Sequence, residues 1–198
     1  MKLRSLSVLA LVGVVGLSAC GDDSTHNSAD MDESDASTMA PSDAAFNDAD
    51  VAFAQGMIPH HEQAIEMSDM ALDPTVGAGA QVRDLATSIK AAQDPEVGMM
   101  TSWLTEWGQS MEMDMNGGEM AAMDGMMTTA EMDTLSGLTG DAFDTLWLDM
   151  MIRHHEGAIV MAQTVTASGK NPAVLELAGQ VVTAQQAEIQ QMQALLAG

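Results

Sequence analysis

The stretch DVAFAQGMIPHHEQAIEM, Asp50 to Met67, returns later in the chain as DTLWLDMMIRHHEGAIVM, Asp144 to Met161. Asp50/Asp144, Met57/Met151, Ile58/Ile152, His60/His154, His61/His155, Glu62/Glu156, Ala64/Ala158, Ile65/Ile159 and Met67/Met161 all pair at a constant offset of 94. The match resumes at an offset of 92 with Leu85/Leu177, Ala86/Ala178, Gln93/Gln185, Glu96/Glu188, Met100/Met192 and Leu104/Leu196. Identity sustained over two segments marks an internal duplication.

Each copy reads as helix, turn, helix. Apolar residues recur at helical spacing on both sides of a punctuation point, Asp73-Pro74 in the first copy and Ser168 to Pro172 in the second. Two hairpins predict an all-α four-helix bundle. The copies cover about 46–108 and 141–197 within a domain of 46–198, and a Met-rich link of about 109–140 joins them. Within the link, Thr128-Thr-Ala-Glu131 has the capping-box pattern that starts a short helix. Such a long connection suits a crossover along the bundle. Pro59 lies inside the first predicted helix, where it removes the bond to the Gln55 carbonyl and predicts a kink.

The first twenty residues stand apart. Lys2 and Arg4 precede an apolar run from Leu6 to Leu17, and Leu17-Ser-Ala-Cys20 follows. This is the layout of an export signal, and its apolar run is too short to span a bilayer. Leu-Ser-Ala-Cys resembles a bacterial lipobox, which makes Cys20 the expected lipidation site and residues 1–20 a lipoprotein signal peptide. The expected location is the extracytoplasmic face of a membrane or the periplasm. Cys20 is the sole cysteine, so disulfides and thiolate metal sites are excluded from the rest of the chain. Residues 21–45, rich in Asp, Ser and Ala, read as a disordered acidic tether.

The whole chain carries a formal charge of −23; loss of Lys2 and Arg4 leaves four basic residues against 29 acidic ones, hence −25. A basic nucleic-acid-binding surface is ruled out. A field of this sign gathers cations, although it serves solubility equally well. Twenty methionines accompany three Phe, three Trp and no Tyr. Part of that excess is core filler, a role the flexible thioether fills well.

The chemistry concentrates at the duplicated histidines. Four of five His lie in the two pairs, the fifth being His26 in the tether. His61 and His155 fall mid-stripe on their helices, while His60 and His154 lie about 100° away, beside Met57/Met67 and Met151/Met161. Folding each hairpin brings Gln93, Glu96 and Met100, and likewise Gln185, Glu188 and Met192, to the same level. Core histidines of purely structural role are common. Paired histidines in both copies of a chain otherwise almost free of them point instead to metal or proton chemistry. Met111, Met113 and Met115 alternate among acids in the link, a pattern unlike a core stripe. Thioethers are soft ligands that select Cu(I) and, by the same softness, Ag(I).

Met57 to Met67 and Met151 to Met161, with Gly125-Met-Met-Thr and Phe143-Asp-Thr-Leu-Trp-Leu, resemble the bacterial domain-of-unknown-function family 305, DUF305, over about Phe46 to Leu196. The resemblance implies a ferritin-like fold, export, and, as in some members, periplasmic copper binding through Met and His. The metal-site candidates are therefore His60, His61, His154, His155, Met57, Met67, Met151, Met161, Glu96, Glu188, Met111, Met113 and Met115. Three functions stay open: a Cu(I)/Ag(I)-binding lipoprotein for metal buffering or copper resistance, a ferritin-like di-iron or di-manganese oxidoreductase, and a non-metal interaction or pH-sensing module. The enzyme reading lacks the usual Glu-x-x-His pairs, and no catalytic residues are assigned. Metal ions are the expected partners, with membrane contact only through the lipid anchor.

Overall fold

A computed structural model of the chain describes residues 45–112 and 124–198. The signal peptide with Cys20, the tether, and Met113 and Met115 of the link lie outside the described residues.

Five helices follow one another: α1 (Asp48–Leu72), α2 (Ala80–Glu106), α3 (Thr129–Ser136), α4 (Gly140–Ser168) and α5 (Pro172–Ala197). No strand occurs among the described residues. The hairpins are α1/α2 and α4/α5, and they meet mainly along α1 and α4, with α3 against α4. The four-helix bundle built from two hairpins is thus observed, and none of its described helices is long and apolar enough to cross a membrane.

Local sequence sets the helix ends. Asn47 caps α1 through Oδ1, which accepts from the Ala49 and Asp50 amides at 3.1 Å, while Asp50 accepts from the Asn47 amide at 2.8 Å. Thr128 and Glu131 form the expected capping box on α3. Asn171 caps α5, and Pro172 occupies its first position, where a missing N–H costs nothing. α1 runs unbroken through Pro59, and α2 likewise through Pro95.

Asp50 and Asp144 explain their own repetition. The buried Asp50 carboxylate accepts from the Lys170 and Asn171 amides at 3.0–3.2 Å, at the entry of α5. Asp144 accepts from the Gly79 amide at 2.9 Å, at the entry of α2. Each hairpin therefore places a carboxylate on the positive helix N-terminus of the other.

The core is split in two. One cluster joins Ala64, Met67 and Ala71 of α1 with Val82, Leu85 and Ile89 of α2, Phe143, Trp147 and Met151 of α4, and Met192 of α5; Met127, Met132 and Leu135 from the link complete it. The other joins Phe53, Met57 and Ile58 with Met100, Leu104, Ala158, Ala162, Val165, Val174, Leu177 and Val181. Between them, α1 contributes His60 and His61, α2 Gln93, α4 His154 and His155, and α5 Gln185, all buried. Since the first half of α1 packs with the second half of α4, the two helices run antiparallel and their histidines share one level.

Candidate metal centre

The site is a polar layer between two apolar clusters. All four repeat histidines are completely buried. His61 Nε2 lies 2.7 Å from Glu96 Oε2, and His155 Nε2 lies 2.7 Å from Glu188 Oε2, so each hairpin joins its two helices by the same pair. The His60 and His154 rings meet across the bundle, centroids 3.7 Å apart, and His154 lies 6.3 Å from His155. The helical stripe in the sequence puts His60 and His154 on a flank; in the fold they are as fully buried as His61 and His155, and their rings are the pair that meets across the bundle. The reason is that α1 packs against both α2 and α4, and α4 against α1, α3 and α5, which widens the buried face beyond the arc that apolar residues mark.

Burial holds the His60 and His154 rings neutral. The His60 imidazolium is pushed down to about 3, first by desolvation and then by the neighbouring His61 and His155. His154 is lowered well below the usual histidine range, again by desolvation first and then by His60, His155 and His61. A neutral ring offers a lone pair, the state in which histidine binds metal. Five ring nitrogens have no hydrogen-bond partner: Nδ1 of His60, His61 and His155, and both nitrogens of His154. Gln93 Oε1 and Gln185 Oε1 are also unpartnered. Buried polar atoms in this condition are costly, and so many in one layer call for a ligand.

Among the described residues, no three His, Cys, Asp or Glu side chains are gathered so as to hold a metal ion by themselves. A site here needs a further kind of donor, and thioethers border the layer on both sides. Met57 and the half-buried Met161 belong to one apolar cluster, and the buried Met67 and Met151 to the other, so each side draws one Met from each hairpin. Neutral imidazole with thioether suits a soft monovalent cation. Glu96 and Glu188 are engaged through their hydrogen bonds to the rings, the arrangement that orients a ligand histidine from behind. Met111 is exposed and Glu62 and Glu156 face solvent, outside this layer.

Sequence reading missed the residues that close the layer. The Asp124 carbonyl oxygen lies 3.3 Å from His60 Nε2. Gln63 exchanges two hydrogen bonds with the Met127 backbone, donating at 2.9 Å and accepting at 2.7 Å. A Cβ on Gly157 would fall 1.8 Å from the Asp124 oxygen. Gln63 and Gly157 are equivalent positions of the repeat, so their mismatch was the available clue.

The profile of the Domain of unknown function family, DUF305, matches residues 50–196. A Streptomyces coelicolor DUF305 protein described as secreted is 34% identical, with 75% of this chain and 92% of that chain covered at a TM-score of 0.70. A DUF305 fragment from Deinococcus radiodurans is 33% identical, covering 76% and 97% at a TM-score of 0.68. CopM in its Cu(II)-bound form is 28% identical, covering 75% and 95% at 0.63, and CopM is also solved in Cu(I)-bound and Ag-bound forms. No curated protein matches the chain.

Proposed function

Because the chain belongs to the DUF305 family, we propose that it is an exported protein that binds Cu(I) or Ag(I) at one site shared by its two hairpins, for metal buffering or copper resistance. The observation that carries this reading is the single layer of four buried imidazoles with five unpartnered nitrogens. The ion would be held by imidazoles drawn from His60, His61, His154 and His155, together with thioethers drawn from Met57, Met67, Met151 and Met161. Glu96 and Glu188 orient His61 and His155 rather than ligate. The copper- and silver-bound forms of CopM, 26–28% identical, support the choice of metal. Met111, Met113 and Met115 of the link are proposed as further soft donors for the same metal, and the −23 charge of the chain draws cations toward it. Residues 1–20 would direct export and Cys20 would carry the lipid, holding the domain at the extracytoplasmic face.

His60 itself is no pH sensor, since a group depressed to about 3 does not change charge between pH 5 and 8. An iron or manganese oxidoreductase would need free carboxylates at the layer, and Glu96 and Glu188 are taken up by histidine.

The test is metal content and stoichiometry of the purified protein titrated with Cu(I), Ag(I), Fe(II) and Zn(II). Cu(I) or Ag(I) bound in the wild type and lost when all four repeat histidines become alanine is the expected result. Retention of metal by that variant overturns the site, and bound iron with oxidase turnover overturns the function.

A further inference from the structure

Three of the four buried rings have Nε2 engaged by an acceptor. For His61 and His155 the acceptors are Glu96 and Glu188; for His60 it is the main-chain oxygen of Asp124 at 3.3 Å. A carbonyl oxygen only accepts, so His60 Nε2 must carry the proton. In a neutral imidazole the lone pair then resides on Nδ1, the His60 nitrogen that is buried without a partner.

That carbonyl is held by a built arrangement. Gly125 adopts a left-handed φ of +86°, and a Cβ there would lie 2.6 Å from the Arg153 oxygen and 3.0 Å from Gly157 Cα. On α4, a Cβ at Gly157 would lie 1.8 Å from the Asp124 oxygen and 2.5 Å from its carbonyl carbon. Backbone thus rests on backbone, with glycine on both sides. The far end is fastened by Gln63, bonded to both the amide and the carbonyl of Met127. Arg153 adds a contact to Met127 Sδ at 2.9 Å and an ion pair with Glu131 at 2.7 Å.

We infer that the Asp124–Met127 strap is a positioning element for His60: its Asp124 carbonyl takes the Nε2 proton and fixes Nδ1 as the donor nitrogen. It does with main chain what Glu96 and Glu188 do with side chains for His61 and His155. The consequence for metal rests on the function proposed above; the tautomer does not.

The test reads ring nitrogens by 15N NMR of the full metal-free chain at neutral pH. His60 is expected as the Nε2–H tautomer, with Nδ1 at the shift of an unprotonated nitrogen. In Gly157→Ala the new Cβ displaces the Asp124 carbonyl. His60 then loses its single tautomer while the His61 and His155 ring signals stay as in the wild type, and Ag(I) release accelerates about 10-fold or more. Should Gly157→Ala not fold, Gln63→Ala frees the Met127 end without adding volume and is expected to produce the same change to a smaller degree. An Nδ1–H tautomer for His60 in the wild type overturns the inference. So does an unchanged His60 tautomer in whichever of the two variants folds. A wild type with the Nε2–H tautomer that binds neither Cu(I) nor Ag(I) upholds the strap and overturns the metal function instead.

Discussion

The two hairpins agree where they face each other and differ where the link crosses them. At the polar layer the correspondence is close: His61–Glu96 and His155–Glu188 share one distance of 2.7 Å, and Gln93 and Gln185 share an unpartnered oxygen. Around the strap the hairpins diverge. Pro59 is matched by Arg153, which holds Met127 and Glu131, and Gln63 is matched by Gly157, which yields room to Asp124. The bundle is symmetric in its polar layer and asymmetric around the strap. One link can cover a two-fold layer from one side only, so the residues beneath it have to be unlike.

The largest expected effect breaks the comparison if two independent sites exist. His60→Ala with His61→Ala, confined to the first hairpin, is expected to abolish Cu(I) binding, a loss of about 100-fold or more in affinity. Two separate sites would leave half the stoichiometry, as read by competition with a chromophoric Cu(I) chelator.

The next effect concerns equivalent core positions, Phe53 and Trp147. Trp147 is fully buried and donates from Nε1 to the Met67 carbonyl at 2.9 Å, joining the hairpins; Phe53 has no polar atom to do so. Trp147→Ala is expected to cost about 4 kcal/mol and Phe53→Ala about 3 kcal/mol in urea denaturation. Equal losses would mean that the indole hydrogen bond contributes nothing.

The layer also has a pH signature. His60 and His154 have lowered native values, so the unfolded chain binds their protons more readily and stability falls as pH drops below 6.5. Between pH 6.5 and 4.5 His60 alone is expected to remove about 2–3 kcal/mol of stability. Thermal melts across that window should flatten in His60→Ala; an equally steep wild type and variant would reject the neutral assignment.

The smallest effect compares the crossed carboxylates. Asp50 accepts from two amides at the entry of α5, Asp144 from one at the entry of α2. Asp50→Ala is expected to cost about 2 kcal/mol and Asp144→Ala about 1 kcal/mol, measured by urea midpoint. A reversed order would show that burial of Asp50 offsets its bonds.

Much of this was legible in the sequence. Repetition gave the hairpins, Pro74 and Pro172 the turns, Thr128 and Glu131 the cap of α3, and the spacing of Glu96 and Glu188 their level beside the histidines. The inward position of His60 was not legible, because hydrophobic periodicity locates a buried face by its apolar members and here the centre is polar. The Asp124 carbonyl could not be seen at all: it is main chain, and no side-chain pattern announces it.

The polar layer also has a bearing on how the helices find their alignment. A purely apolar bundle of Met, Ala, Leu and Val tolerates sliding, because one such side chain replaces another at little cost. Here a slip of one turn between α1 and α4 would set His60 and His61 against the Met67 or Phe53 side of the core and strand their nitrogens in hydrocarbon. The histidines and glutamines therefore act as a ratchet stop along the bundle axis, admitting a single register in a methionine-rich interior that would otherwise accept several.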